Sequence, residues 1–328
     1  MLIFKSPNMV IIMAQHFLLS PAAKTLSLVK VLRMSDKAAE KAFREIRWAE
    51  TGGEPVCPEC GCTEHYDLKS RPVWKCKGCG KQFSLTSGTI FHSRKLSVRD
   101  ILGAIAIFTN GAKGVSALNL SRDLGVDYKT AFVLCHKIRE AIELARDKGA
   151  LSGNVEVDGA YFGGYVKPAN ERKDRKDRRR KINQSGKRQV VIAARETNGR
   201  TLTTVGMNEA EGVAFARDNI AAGATVHADE AAHWDKLAAR FPIKRINHKE
   251  AYSKDGACTN SAESFFSRMR RAEIGIHHRI AGGYLSAYAS EMAWREDARR
   301  ESNGNQFAML VQSVAMAPKS NQWCGYWQ

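Results

Sequence analysis

The chain has 328 residues, 44% of them hydrophobic, with 51 Lys and Arg against 34 Asp and Glu and a net charge of +17. It can bury at least one large core and has room for two or three domains, and its charge points to a polyanionic partner, nucleic acid first. The longest apolar run near the start, Met9 to Ala14, is far short of the roughly 18 residues of a membrane span and carries no small-residue cleavage pattern after it, so a cytoplasmic protein with no membrane attachment is expected.

Residues 1–54 read as an N-terminal extension, with Met9, Met13 and Met34 as alternative starts. After Ser35, Ala39, Phe43 and Ile46 fall at helical spacing, which predicts a short amphipathic helix from Asp36 to Trp48. Residues 55–93 hold Cys57, Cys60, Cys76 and Cys79, two pairs each spaced by two residues with fifteen between them. That is zinc-ribbon spacing. Gly61 and Gly80 follow the pairs, so each can turn back in a tight knuckle that aims both thiolates at one tetrahedral Zn²⁺. Four thiolates close the site, which makes the zinc structural. Cys62 stands as a spare or substitute ligand, while Cys135, Cys258 and Cys324 sit apart. The strand-like stretches Arg71–Lys75 and Lys81–Ser84 are too short to persist without the metal.

Residues 94–150 switch to helical periodicity, over Leu96–Phe108, Val115–Leu124 and Asp127–Arg146, with Gly125 in the last turn. A short helix, a glycine-containing turn and a longer helix predict a helix-turn-helix whose last helix enters the major groove. Lys129, Lys137 and Arg139 supply its positive charge. An ordinary three-helix bundle is the competing reading.

Residues 151–305 turn strand-rich and then alternate. Strands are expected at Val155–Val157, Gln189–Ala194 and Arg200–Val205, then a helix at Ala210–Ala221, a strand at Ala224–Ala228, a helix at Ala231–Arg240, a strand at Ile243–Ile246, and helices at Asn260–Arg271 and Tyr284–Arg300. Three strands followed by alternating helix and strand is the order of an α/β, ribonuclease H-like mixed sheet. A basic insertion at 165–188 carries eleven Lys and Arg between Lys167 and Arg188, among them Arg178, Arg179 and Arg180, against three acids. Such a run suits a DNA backbone, whose counterions it would release. Residues 306–328 are read as a C-terminal tail.

Asp158 is expected at the end of the first strand, Asp229 just after the fourth and Glu263 in the first turn of a helix, so three carboxylates distant in sequence can meet at one sheet edge. Oxygen ligands of this kind suit Mg²⁺ or Mn²⁺, and two such ions can clamp an in-line phosphoryl displacement. Glu230, Asp235 and Asn260 compete for these roles. His248 follows a strand and could orient a water or a phosphate, although local hydrogen bonding is the commoner fate of such a histidine; Trp234 could stack on a base, with core packing the default, and His277-His278 read as DNA contact or packing rather than metal.

The segments Val155-Glu-Val-Asp158-Gly-Ala-Tyr161-Phe-Gly-Gly164, His227-Ala-Asp229-Glu230, Ile246-Asn-His248 and Thr259-Asn260-Ser-Ala-Glu263-Ser-Phe-Phe266, with Arg270 beyond them, stand in this order. Together with the ribbon, His277-His278 and Trp294-Arg295, they resemble the DDE transposases of bacterial insertion sequences, in the group with an N-terminal zinc ribbon. The likeness covers roughly residues 25 to 328. It departs at Asp158-Gly-Ala, where many relatives have a second acidic or polar residue beside the aspartate, and at the C-terminus, where the chain stops at Trp327-Gln328. The resemblance implies Asp158, Asp229 and Glu263 as the metal-holding catalytic residues. Arg270 lies seven residues past Glu263, about two helical turns, where it can grip a phosphate. The implied partner is double-stranded DNA at element ends and target, bound by a homo-oligomer. The rival reading is a DNA-binding regulator whose ribonuclease H-like domain is inactive.

Overall fold

The computed structural model describes residues 17–68, 70–163, 169–177, 186–246, 253–254, 257–280 and 282–326. Arg178, Arg179, Arg180, Lys167 and His248 lie outside the described residues.

Two short helices come first, α1 (Leu28–Leu32) and α2 (Asp36–Arg47), each begun by a serine whose side chain accepts a backbone N–H of the first turn. Strands β1 (His65–Leu68), β2 (Val73–Cys76) and β3 (Gln82–Phe83) then form a small antiparallel sheet in that order. Its apolar side is aromatic: Trp74 lies 5.6 Å from Trp48 at the end of α2 and 5.6 Å from Phe83.

Helices α3 (Val98–Asn110), α4 (Ala117–Leu124) and α5 (Tyr128–Ala145) follow. They share one continuous core with α2, the ribbon's Cys57, Cys76 and Phe83, and Leu310, Val311 and Val314 near the C-terminus. Those last residues belong to α9 (Asn303–Met316), which begins at Ser302 with its hydroxyl accepting from the Asn305 N–H. The stretch read from sequence as a tail is therefore largely a core helix, because Leu310, Val311, Val314 and Ala315 make one buried stripe.

The second half is built on a five-stranded sheet. Strands β4 (Asn154–Phe162), β5 (Gln189–Glu196) and β6 (Thr201–Gly206) are antiparallel neighbours, and β7 (Thr225–Asp229) and β8 (Ile243–Ile246) run parallel to β4, in the order β6-β5-β4-β7-β8. β5 is the most buried strand, and its run Val190–Ala194 reads as continuously apolar because both faces are covered. Val155, Val157 and Ile192 pack on one face with Trp234 and α6 (Gly212–Asn219). Ala160, Phe162, Val191 and Ala193 pack on the other with α7 (Asn260–Ala272) and α8 (Leu285–Asp297).

Helix α8 joins the halves through buried charge. Glu291 is fully buried and accepts from Arg139 Nε of α5 at 2.6 Å and from Arg295 Nε at 2.8 Å. Glu296 accepts from Arg195 of β5 at 2.6 Å and pairs also with Arg268 and Arg299. The two Arg139 and Arg295 charges hold the Glu291 carboxyl down at about 2 against the opposing push of burial. Among the described residues, no helix is long and apolar enough to cross a membrane.

Candidate functional site

The four predicted cysteines do come together. The ligand sulfurs of Cys57, Cys60, Cys76 and Cys79 lie within 4.8 Å of one another, with Cys57 to Cys79 at 3.7 Å and Cys60 to Cys76 at 3.5 Å. Tetrahedral Zn–S bonds of 2.3 Å require sulfurs about 3.8 Å apart, so the thiols stand nearly where a bound zinc would hold them. Gly61 and Gly80 have φ values of 73° and 72°, the left-handed turn each knuckle needs. The Cys79 amide donates to Cys76 Sγ at 3.5 Å, and this bond leads the effects that bring the Cys76 thiol down to about 6. Cys62 is outside the group, its sulfur directed to the Glu64 carbonyl at 3.6 Å.

On α5 the two expected DNA-binding residues part. Lys129 is exposed in the first turn, where it borders a groove of about 990 Å³ shared with Arg94, Lys95, Lys137 and Lys319. Arg139 faces the other way and is 1% exposed, with its guanidinium 4.2 Å from the Tyr288 ring centroid as well as bonded to Glu291. A DNA contact by Arg139 is thereby corrected: the side chain is spent on an internal ion pair. Ten residues separate it from Lys129, which at 100° per residue puts the two on different faces of α5.

Asp158 is not at the end of its strand, as expected, but in the middle. β4 continues to Phe162 and stays paired with β5 throughout, while its parallel pairing with β7 stops at Val157 opposite Ala228. Asp158 and Asp229 are the next residues on their strands, at the point where the neighbours separate, and strands at this spacing are about 4.8 Å apart. Asp158 Oδ1 accepts the Gly159 N–H at 2.7 Å, and Asp229 Oδ1 the Ala231 N–H at 3.1 Å.

Glu263 sits in the first turn of α7, and the start of that helix is tied to β4 by a residue the sequence reading passed over. Glu156, 4% exposed, accepts the Ser261 and Ala262 N–H groups on Oε2 at 2.7 and 2.9 Å. The carboxylate does the capping that the Thr259 side chain does not, and its charge suits the helix N-terminus. Glu156 shares its face of β4 with Asp158, two residues on, so the bond fixes Glu263's helix against the strand bearing the first aspartate. Arg270 is exposed on α7 with its guanidinium 5.4 Å from the Phe162 ring centroid.

Also unforeseen is Glu209, in the turn after β6. Burial first, then the Asp158 and Asp229 charges, raise its carboxyl to about 7, opposed by the Gly159 N–H. These acids are gathered more loosely than the thiols. Among the described residues, the cysteines form the one group of three or more metal-ligand atoms that all lie within 4.8 Å of one another. Trp234 is wholly buried core, and His277 packs on Tyr288 with 4.7 Å between ring centroids.

Residues 150–297 match the model of the ISXO2-like transposase domain, and residues 34–82 that of the transposase zinc-ribbon domain. The chain belongs to the insertion-sequence transposases that carry an N-terminal zinc ribbon. The first match spans β4 to the end of α8, and with it all three candidate carboxylates of this transposase; the second takes in α2 and the four zinc ligands. A relative from Halobacterium salinarum, described as an uncharacterized protein in transposable element ISH50, is 23% identical over 296 residues, covering 86% of this chain and 97% of its own. No solved structure matches the transposase.

Proposed function

We propose that the protein binds the ends of its own insertion sequence, hydrolyses phosphodiester bonds there and joins the freed 3′-hydroxyl groups to target DNA. What carries this reading is the pair Asp158 and Asp229, first residues past the last pairing of two adjacent parallel strands, with Glu263 on a helix clamped to the same strand through Glu156. A sheet in the order β6-β5-β4-β7-β8, three antiparallel strands and two parallel ones, supports a ribonuclease H-like assignment.

The donor set is all carboxylate oxygen, which fits a hard divalent cation. Asp158, Asp229 and Glu263 would hold Mg²⁺ or Mn²⁺, which when bound supplies activation of the attacking oxygen and stabilisation of the leaving one. In cleavage, a water oxygen bonds to phosphorus, the bond to the 3′-oxygen breaks, and that oxygen leaves with a proton as the 3′-hydroxyl. In joining, the 3′-hydroxyl oxygen takes the place of water and a target 3′-oxygen leaves. One P–O bond forms for each that breaks, so no energy-rich cofactor is needed and no covalent enzyme intermediate arises.

Arg270 grips a phosphate beside the acids. The α4–Gly125–α5 unit serves as a helix-turn-helix, Lys129 leading, and the zinc ribbon adds a second DNA-reading module. Arg178, Arg179 and Arg180 in the basic insertion hold the backbone without regard to sequence. Two element ends must be processed together, which calls for a homo-oligomer on DNA.

The experiment is nicking of a labelled element end by the full-length protein with Mg²⁺, Mn²⁺ or Ca²⁺. Cleavage is expected with the first two and binding without cutting with Ca²⁺. Binding with no cleavage under any metal would instead favour the regulator.

A further inference from the structure

Strand register sets three buried polar side chains in one row across the sheet. Arg195 of β5 stands opposite Glu156 of β4, and His227 of β7 stands opposite Glu156 on its other side. Directly paired residues share a face. It is the face that α7 covers, since Ala160, Phe162 and Ala193, in step with Glu156 and Arg195, pack on that side.

Each member of the row reaches the chain just ahead of Glu263. His227 Nδ1 accepts the Cys258 N–H at 3.2 Å, Glu156 Oε2 accepts the Ser261 and Ala262 N–H groups, and Arg195 Nη1 donates to the Ser261 carbonyl at 2.8 Å. An amide N–H can only donate, so His227 carries its hydrogen on Nε2, which lies 3.3 Å from Asn154 Oδ1 at the start of β4. Arg195 is held in turn by Glu296 of α8 at 2.6 Å. Two residues further along their strands, on the same face, come Asp158 and Asp229. The row thus lies one step back from both aspartates and grips α7 up to the residue before Glu263.

We infer that Arg195, Glu156 and His227 act together as positioning residues: the row sets where α7 begins, and hence where Glu263 stands relative to Asp158 and Asp229. The inference rests on the reading of those three acids as the metal-holding group, and adds His227 and Arg195 to the clamp made by Glu156. None of the three touches metal or DNA in this role. A misplacement on the order of 1 Å can cost about 10²-fold in rate, so losing these bonds should show in cutting before it shows in DNA binding.

The test is Mg²⁺-dependent nicking of a labelled element end by full-length variants, with end binding in Ca²⁺ and the unfolding midpoint measured on the same preparations. His227→Phe keeps a ring and removes the acceptor, so nicking should fall about 10²-fold while end binding is kept. His227→Asn, whose Oδ1 can take the place of Nδ1, should recover most of that loss. Glu156→Ala should fall as His227→Phe does, whereas Glu156→Gln, which keeps an oxygen for both amides, should stay within about tenfold of the unmodified protein. Should Glu156→Ala fail to fold, the His227 pair carries the test. Nicking at the unmodified rate by His227→Phe and Glu156→Ala, with none by Asp229→Asn, overturns the positioning role alone. So does equal loss in His227→Phe and His227→Asn, or a Glu156→Gln variant as inactive as Asp229→Asn, which would make Glu156 a ligand. No nicking by the unmodified protein, or full nicking by Asp229→Asn, overturns the metal-centre reading and this inference with it.

Discussion

The zinc ribbon takes its four ligands from two knuckles of one small antiparallel sheet, and a turn-forming glycine after each pair aims the sulfurs. The candidate acidic site draws Asp158 and Asp229 from two strands and Glu263 from a helix, brought toward one another by the parallel β4–β7 register and the Glu156 clamp on α7. One cluster is specified locally; the other exists only when the whole sheet has folded. The difference teaches where each should fail: the ribbon by losing its ion, the acidic face by losing a ligand while its scaffold stands.

Removing zinc, or Cys76→Ser, should give the largest effect, since structural zinc contributes on the order of 10 kcal/mol of folding free energy to such modules. Because Cys57, Cys76 and Phe83 share their core with α2, α3 and α9, amide protection should vanish over the ribbon and weaken in those helices. It should persist in β4 to β8. Equal loss in the five-stranded sheet would mean the two regions are not separable.

Next is the buried charge that joins the halves. Glu291→Ala leaves Arg139 and Arg295 buried without their shared partner and should cost about 3 to 5 kcal/mol in denaturant unfolding. Arg139→Ala should likewise act on stability rather than on DNA affinity. A DNA-binding defect in a fully stable Arg139→Ala protein would restore the reading of Arg139 as a contact.

Smaller, and dependent on pH, is the effect of the histidines packed near that pair. Burial first, then the Arg139 charge, brings His136 down to about 3, and burial brings His277 down to about 4. Neither ring nitrogen of His136 has a hydrogen-bond partner, and the ring stacks on Trp323 at 4.5 Å. Each histidine stays neutral in the fold while the unfolded chain takes a proton below about 6.5. Their contribution is whole above that pH and is lost as pH falls toward the folded values, by about 1.4 kcal/mol per unit for each. His136→Phe should keep the aromatic stack and remove about half of this acid sensitivity, read as unfolding midpoint against pH.

Smallest is Lys129→Ala, which should weaken DNA binding evenly across sequences and reduce the salt slope by about 1. An unchanged slope would take the α5 N-terminus out of the interface.

The same contrast decides what could be read from the sequence. Spacing alone carries the ribbon, because its ligands and turn glycines are neighbours in the chain. The acidic trio is visible only through ordered motifs, since no local pattern distinguishes Asp229 from Glu230 or Asp235. Arg139 misled because a charge on an amphipathic helix is read as solvent-facing, although it lies four residues past Cys135 in the buried stripe and its partner Glu291 is far along the chain. The α9 stripe of Leu310, Val311 and Val314 behind Ser302 was legible and passed over. Glu209 had no signal, because nothing near it in the chain marks that it would rest against Gly159 of β4, in another part of the sequence.

The central claim is that the acidic face cuts DNA, and Asp229→Asn addresses it most directly. The substitution removes one charge and leaves the shape of the β7 end almost intact, so end binding in Ca²⁺ should match the unmodified protein while Mg²⁺-dependent nicking of a labelled element end falls below detection. Full cleavage by Asp229→Asn, alongside normal binding, would contradict the account.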